Sequence, residues 1–264
     1  GSTLLGDVIR QGDHVFYLFE PLFHPSNELS RSHHVVGGVF IQSENTSTHL
    51  SRIVCVCPPN PAIPLDDVAA DVRSVCLPLA ERLCRRSRLR IIKTIRIPAE
   101  WLAILEKNEP NVKFIYMIRD PRGRLWSLIG KRTARSYNKT DALRKYVESE
   151  QPIWCKRLAD DAVWIKKFTH LNPDRLLAIK YEDLAIRFTP TVQRIYSFVG
   201  RSTESLGTKW VRNRTAAEKD GGRMSTYRRN STWTAVRWRH EMPSWMNDVV
   251  GNVCQPVLDS WNYL

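Results

Sequence analysis

No apolar run in this 264-residue chain approaches the ~18 residues that a membrane-spanning helix requires, so no spanning segment is expected within it. Internal repeats and low-complexity linkers are missing too. A balance of 42% hydrophobic and 25% charged residues belongs to a folded globular protein and excludes disorder, collagen and coiled coil. The six cysteines form no paired CxxC frame, and none of the seven histidines lies in an HExxH-type helix, so no metal centre is predicted. The Gly-Lys-Ser/Thr of a nucleotide-binding phosphate loop is absent, as is any kinase motif set, which disfavours a kinase. No nucleic-acid-binding motif is recognisable. The chain opens on Gly1-Ser2-Thr3 with neither a methionine nor a secretory signal, so further sequence is expected upstream.

Acidic residues are the scarce charge: 27 Asp+Glu against 40 Lys+Arg leave a net +13. The excess is clustered. Residues 82–96 hold seven basic and no acidic residues, 113–135 seven and one, and 201–240 ten and three, so the remainder is net acidic. A surplus kept for solubility would be scattered, whereas a clustered one points to a polyanionic partner. Nucleic acid, anionic glycan, phosphorylated cofactor and acidic lipid surface all fit that description. Cys55, Cys57, Cys76, Cys84, Cys155 and Cys254 allow fifteen full pairings, among which sequence alone does not choose. Glycosylation sequons begin at Asn45, Asn138, Asn213 and Asn230. Together with the cysteines they favour a lumenal or extracellular compartment, where disulfides persist, and weigh against nucleic acid.

Strand and helix signals alternate along the chain. A short helix is predicted over 2–11, a strand over 14–19 (HVFYLF), an irregular stretch with two apolar runs (VVGGVFI and RIVCVC) over 23–60, and a helix over about 65–85. RIIKTI (90–95), KFIYMI (113–118) and RLLAIK (175–180) read as buried strands. Helices are expected from Pro98, from Pro121 to about Arg132, over 151–171, from Pro190 to Phe198, and over 241–258. Within 151–171 the apolar positions are Trp154, Leu158, Val163, Ile165 and Phe168; residues 200–240 are basic and weakly periodic. Short continuous apolar strands alternating with helices predict an α/β fold, a parallel sheet covered by helices on both faces, as one domain over 1–264.

In such a sheet, ligands bind beyond the carboxyl ends of the strands. Gly1-Ser2-Thr3 opens an apolar helix whose first backbone N–H groups suit a phosphate; small residues capping a helix are the plainer alternative. Arg119-Asp120-Pro121-Arg122 closes the KFIYMI strand, and Ser127 lies on the helix that follows. An arginine there can grip a phosphate bidentately with a serine hydroxyl beside it. The plainer alternative is a solvated turn.

In order and spacing, GSTLL, VFYLFEPL, IIKTIR, FIYMIRDPRGRLWSL, LLAIKYEDL and YRRNST…WR resemble the carbohydrate sulfotransferases, in particular the Golgi galactose/N-acetylglucosamine/N-acetylgalactosamine 6-O-sulfotransferase group. The resemblance runs over essentially the whole chain. It implies the sulfotransferase fold, a relative of P-loop kinases, and transfer of sulfonate from 3′-phosphoadenosine 5′-phosphosulfate (PAPS) to a sugar hydroxyl without a metal. Gly1, Ser2, Thr3 and Leu4 would be the surviving half of the 5′-phosphosulfate loop, since the family carries a basic residue and a first strand upstream; the chain is thus expected to be N-terminally truncated. Arg119 and Ser127 match the family's 3′-phosphate motif, Tyr181 a position lining adenine, and Arg228 and Arg229 a basic lid. Related cytosolic enzymes carry a histidine base in a Lys-Thr-His stretch, but here it reads Lys93-Thr94-Ile95, leaving Lys93 to stabilise the sulfonate. Glu20, which ends the VFYLF strand at the place where glycan-modifying relatives use a carboxylate, is the candidate general base, with His24 as a fallback. The basic segments containing Lys93, Arg119 and Arg228 are expected to border one cleft for PAPS and glycan. The implied partner is a keratan- or chondroitin-like, or GlcNAc/Gal-bearing, glycan, met in the Golgi lumen by an enzyme tethered through an upstream type II anchor. A non-catalytic protein binding heparin-like glycans would use the same charge without a donor site.

Overall fold

The computed structural model describes residues 2–11, 15–19, 38–42, 82–95, 98–132, 140–222 and 225–263. Its centre is a five-stranded sheet of β1 (Val15–Phe19), β2 (Gly38–Gln42), β3 (Leu89–Thr94), β4 (Val112–Ile118) and β5 (Leu176–Lys180), in the order β1-β3-β2-β4-β5. β1 runs parallel to β3, and β4 to β5, while β2 lies antiparallel to both β3 and β4. Four strands therefore share one direction and the central one is reversed, where an all-parallel sheet was expected. The reversed strand lies in the stretch expected to be irregular, where the glycines of VVGGVFI obscure the strand signal, and an apolar run carries no sign of strand direction.

The two faces of the sheet are legible in the burial pattern. Along β4, Val112, Phe114, Tyr116 and Ile118 face one core, and Ile115 and Met117 the other. The first core is closed by helices α2 (Trp101–Asn108), α3 (Pro121–Arg132), α4 (Thr140–Leu171) and two helices near the end of the chain. The second is closed by α1 (Ser2–Ile9), α5 (Tyr181–Ile186) and α6 (Phe188–Phe198), with α7 (Thr208–Thr215), α8 (Ser231–Val236) and α9 (Trp238–Glu241) following in the chain. The helices near the end are α10 (Ser244–Val253) and α11 (Gln255–Ser260). Leu5, Val8 and Ile9 of α1 are fully buried, each stabilising the fold by about 1.5–3 kcal/mol.

Several element boundaries differ from expectation. α4 begins at Thr140, ahead of the expected start at 151, and runs through Pro152. Its extra turns are held by packing, because Val147 is fully buried and Leu143 and Tyr146 pack on the same core. Trp154, Leu158, Ile165 and Phe168 are buried as predicted, whereas Val163 is 68% exposed on the outer face. The predicted helix over 241–258 divides at Cys254, and residues 200–240 contain α7, α8 and α9. Of the helix expected over 65–85, only 82–85 fall among the described residues, and these are helical.

Two long-range ties pin α4. Cys155 is disulfide-bonded to Cys254 with Cα atoms 5.0 Å apart, closing a separation of 99 residues. Cys84 is disulfide-bonded as well. Asp161, buried in α4, accepts from the Ala99 amide (2.8 Å) and the Tyr116 hydroxyl (3.0 Å), so one carboxylate joins α4 to β4 and the approach to α2. Burial pushes its pKa up to about 6, against the pull of those two hydrogen bonds.

Candidate functional site

The last carbonyls of α1 mark the amino edge of the sheet. Tyr196 Oη donates to Val8 O (2.8 Å) and Arg201 Nη1 to Ile9 O (3.2 Å), near the end of α6. Lys113, at the start of β4, donates from Nζ to Phe198 O (2.7 Å). The ends of α1 and α6 thus lie together at the amino edge, and the first turn of α1, with Ser2, Thr3 and Leu4, points to the carboxyl edge. Leu4 is buried beneath that turn, and Ser2 and Thr3 are half-buried. Positive partial charge at this helix end favours an anion.

Beyond the carboxyl end of β4, Arg119 lays its guanidinium on the ring of Tyr181, the first residue after β5, with 4.5 Å between guanidinium carbon and ring centroid. Its Nε is buried and has no hydrogen-bond partner among the described residues. An orphaned, buried guanidinium N–H is costly unless an acceptor meets it. An anion such as a phosphate supplies the acceptor oxygens, and the Tyr181 ring supplies a flat apolar wall. Asp120, by contrast, is spent on structure. It is 1% exposed, accepts from the Arg122 amide (2.9 Å) at the start of α3, and holds the Arg122 guanidinium at 3.0 and 2.9 Å. Arg122 also lies 4.8 Å over the Trp238 ring.

Glu182 binds these elements together. Its Oε1 accepts from the Asp120 amide (3.1 Å) and its Oε2 from the Tyr263 hydroxyl (3.0 Å). Burial raises its pKa, opposed by the nearby Arg119 charge and the hydrogen bonds it accepts. The Tyr263 phenol is pushed well up by its own burial and then by the Glu182 charge.

A strap of chain, 225–241, crosses this edge. Thr226 Oγ1 donates to Asp7 of α1 (2.8 Å), Ser231 Oγ to Ala185 O of α5 (2.6 Å), and Trp238 packs on α3 so closely that a Cβ at Gly123 would fall 2.7 Å from the indole. Asn230 caps α8, its side-chain oxygen accepting from the Trp233 amide (2.8 Å). Asp7 anchors the strap's beginning by also accepting from Arg214 Nε and Nη2 (2.9 and 2.7 Å) and Arg10. Burial pushes the Asp7 carboxyl up, but the hydrogen bonds from Arg214, Thr226 and Arg10 outweigh it and hold it below the usual carboxylate range.

The structure therefore brings Arg119 and Tyr181 into contact and directs the first turn of α1 to the same edge. Lys93, 3% exposed, is the penultimate residue of β3 and lies opposite Phe19 of β1 in the parallel register. Ser127 is half-buried on α3, one turn beyond Gly123. Arg228 and Arg229 sit on the strap, but their hydrogen bonds run to neighbours: the Arg228 amide to Asn213 O (3.1 Å), its guanidinium to Tyr227 O, and the Arg229 amide to Asp220 (2.9 Å). Gly1, Glu20 and His24 lie outside the described residues. The basic stretches do not all border one cleft. Arg82, Arg85, Arg86 and Arg88 are exposed before β3, at the amino edge, and Arg122 and Arg214 are consumed by Asp120 and Asp7. Sequence reasoning missed Asp7 and Glu182. A lone acid inside the apolar helix STLLGDVI is a readable signal for the first; nothing local marks the second.

The family model described as "Sulfotransferase family" matches residues 1–205. Carbohydrate sulfotransferase 1 of Danio rerio is 28% identical over 315 aligned residues, covering 100% of this chain and 75% of the relative. Carbohydrate sulfotransferase 6 of Homo sapiens is 24% identical, with 100% and 78% covered, and carbohydrate sulfotransferase 3 of Mus musculus 23% identical, with 100% and 66% covered. No solved structure gives a significant match.

Proposed function

The chain belongs to the sulfotransferase family, and on that premise we propose that it moves sulfonate from PAPS to a hydroxyl, at O-6, of a galactose, N-acetylglucosamine or N-acetylgalactosamine residue in a glycan. That it is an enzyme transferring sulfonate to carbohydrate follows from relatives that match it from end to end. The finer assignment rests on one observation: a half-buried arginine whose buried Nε is unsatisfied among the described residues, stacked on an aromatic ring where β4 ends. A donor with a 3′-phosphate and an adenine fits that pair.

In this reading Arg119 and Ser127 hold the 3′-phosphate, Tyr181 lines the adenine, and Arg228 and Arg229 cover the site from the strap. The first turn of α1, with Gly1, Ser2, Thr3 and Leu4, receives the 5′-phosphosulfate. Glu20 takes the proton from the acceptor hydroxyl as its oxygen attacks sulfur in line. The bond from sulfur to the bridging phosphate oxygen breaks, and adenosine 3′,5′-bisphosphate leaves. Lys93 stabilises the sulfonate in transit. No metal enters the scheme. Among the described residues no His/Cys/Asp/Glu cluster offers a metal site, and no helix is long and apolar enough to cross a membrane. The Cys155–Cys254 disulfide supports a lumenal setting, which in this reading is the Golgi, reached by an upstream anchor.

The test is a labelled-donor assay against desulfated keratan, chondroitin and GlcNAc-terminated acceptors, run beside Glu20→Gln. Transfer to one of these acceptors, reduced about 100-fold or more by Glu20→Gln at unchanged thermal stability, is expected for loss of a general base. Undiminished transfer by the variant would remove Glu20 from that role, and no transfer to any glycan would overturn the function.

A further inference from the structure

Residues 261–263 touch both strand ends that carry the candidate donor pair. Trp261 stacks on Tyr116 of β4, with centroids 5.9 Å apart and planes 16° apart. Asn262, in the left-handed region at φ 50°, turns its carbonyl to Lys180 Nζ at the end of β5 (3.2 Å). The Tyr263 ring lies under the same Nζ at 4.7 Å, its carbonyl meets Arg122 Nη2 at 3.5 Å, and its hydroxyl donates to Glu182 (3.0 Å). Glu182 then reaches the Asp120 amide, one residue from Arg119. A non-glycine residue at positive φ is uncommon and persists where its surroundings require it. Here the turn lets one tyrosine present ring, carbonyl and hydroxyl to three different partners.

We propose that the Trp261–Asn262–Tyr263 turn is a latch, and that Tyr263 and Glu182 are positioning residues that hold the ends of β4 and β5 so that Arg119 rests on Tyr181 with its Nε turned to the donor. Neither is a catalytic residue. Each acts through Arg119: Tyr263 fixes the Glu182 carboxylate, and Glu182 fixes the peptide that follows Arg119. The inference rests on the donor-site reading above and adds a control of its geometry from the far end of the sequence.

The test measures binding of adenosine 3′,5′-bisphosphate and of adenosine 5′-phosphate by calorimetry, for the parent chain and for Tyr263→Phe, Glu182→Ala and Glu182→Gln. Tyr263→Phe keeps the ring and removes one hydrogen bond, so bisphosphate affinity is expected to fall about three- to tenfold. Glu182→Ala removes both hydrogen bonds and is expected to lose more than about tenfold. Glu182→Gln, whose amide still accepts from Asp120 and can donate to the Tyr263 oxygen, recovers most of that loss. Affinity for adenosine 5′-phosphate, and kcat at saturating donor, change little. Bisphosphate affinity unchanged in Tyr263→Phe and Glu182→Ala beside a binding parent overturns the latch and leaves the sulfotransferase reading standing. A parent that binds no bisphosphate overturns both.

Discussion

Replacing Asp7 by Ala leaves the Arg214 guanidinium, 8% exposed, facing the rings of Trp210 and Tyr227 without its carboxylate. An uncompensated buried charge of this kind costs about 3–5 kcal/mol, so urea unfolding of Asp7→Ala at neutral pH is expected to show a loss of that size. The Asp7 carboxyl is held below its ordinary range, so its contribution is present above the unfolded-state pKa and is lost as pH falls through the folded one. The gap between the parent and Asp7→Asn should therefore close below about pH 4. A gap that persists there would mean that packing, not charge, is what Asp7 supplies. At this scale the sequence was readable where a residue's role follows from its place in an element. Arg119 ends an apolar strand, and that alone predicted its exit at the ligand edge. Glu182 was not readable, because its two partners lie 62 and 81 residues away and no local spacing encodes them.

Asp161 acts between elements, pinning α4 to β4 and to the approach to α2. Its folded carboxyl titrates near 6, above the ordinary value of 3.8, so the folded state holds the proton more tightly than the unfolded chain does. Stability from this group is full below the unfolded pKa and is lost as pH rises through about 6, by about 2–3 kcal/mol. Asp161→Asn keeps an acceptor for Ala99 and a partner for Tyr116, so thermal unfolding between pH 4 and 7 should lose that slope. An identical slope in the variant would contradict the assignment. KFIYMI, RIIKTI and RLLAIK were legible as strands because both faces are buried and the runs are continuously apolar. β2 was not legible as a strand, since it falls in the stretch read as irregular, and its direction was not legible either, since hydrophobicity is blind to the polarity of the chain. The start of α4 was hidden by Pro152, whose cost is met by core packing that only the assembled sheet provides.

Taken over the whole molecule, the +13 charge divides into three uses. Some arginines build the fold, as Arg122 and Arg214 do against buried carboxylates. Some stand at the amino edge near Arg82–Arg88, away from the donor edge. The proposed donor site draws on Arg119 and Lys93, at the ends of β4 and β3. Clustering in sequence therefore overstated clustering in space, because a strand carries a basic stretch from one edge of the sheet to the other. The ring and guanidinium of Tyr181 and Arg119 are the narrowest part of the account. The measurement that tests it most directly is the affinity ratio of adenosine 3′,5′-bisphosphate to adenosine 5′-phosphate, for the parent chain and for Arg119→Ala. The account predicts a preference for the bisphosphate of about tenfold or more that disappears in Arg119→Ala. Equal affinities in the parent, or a preference that survives the substitution, would contradict it.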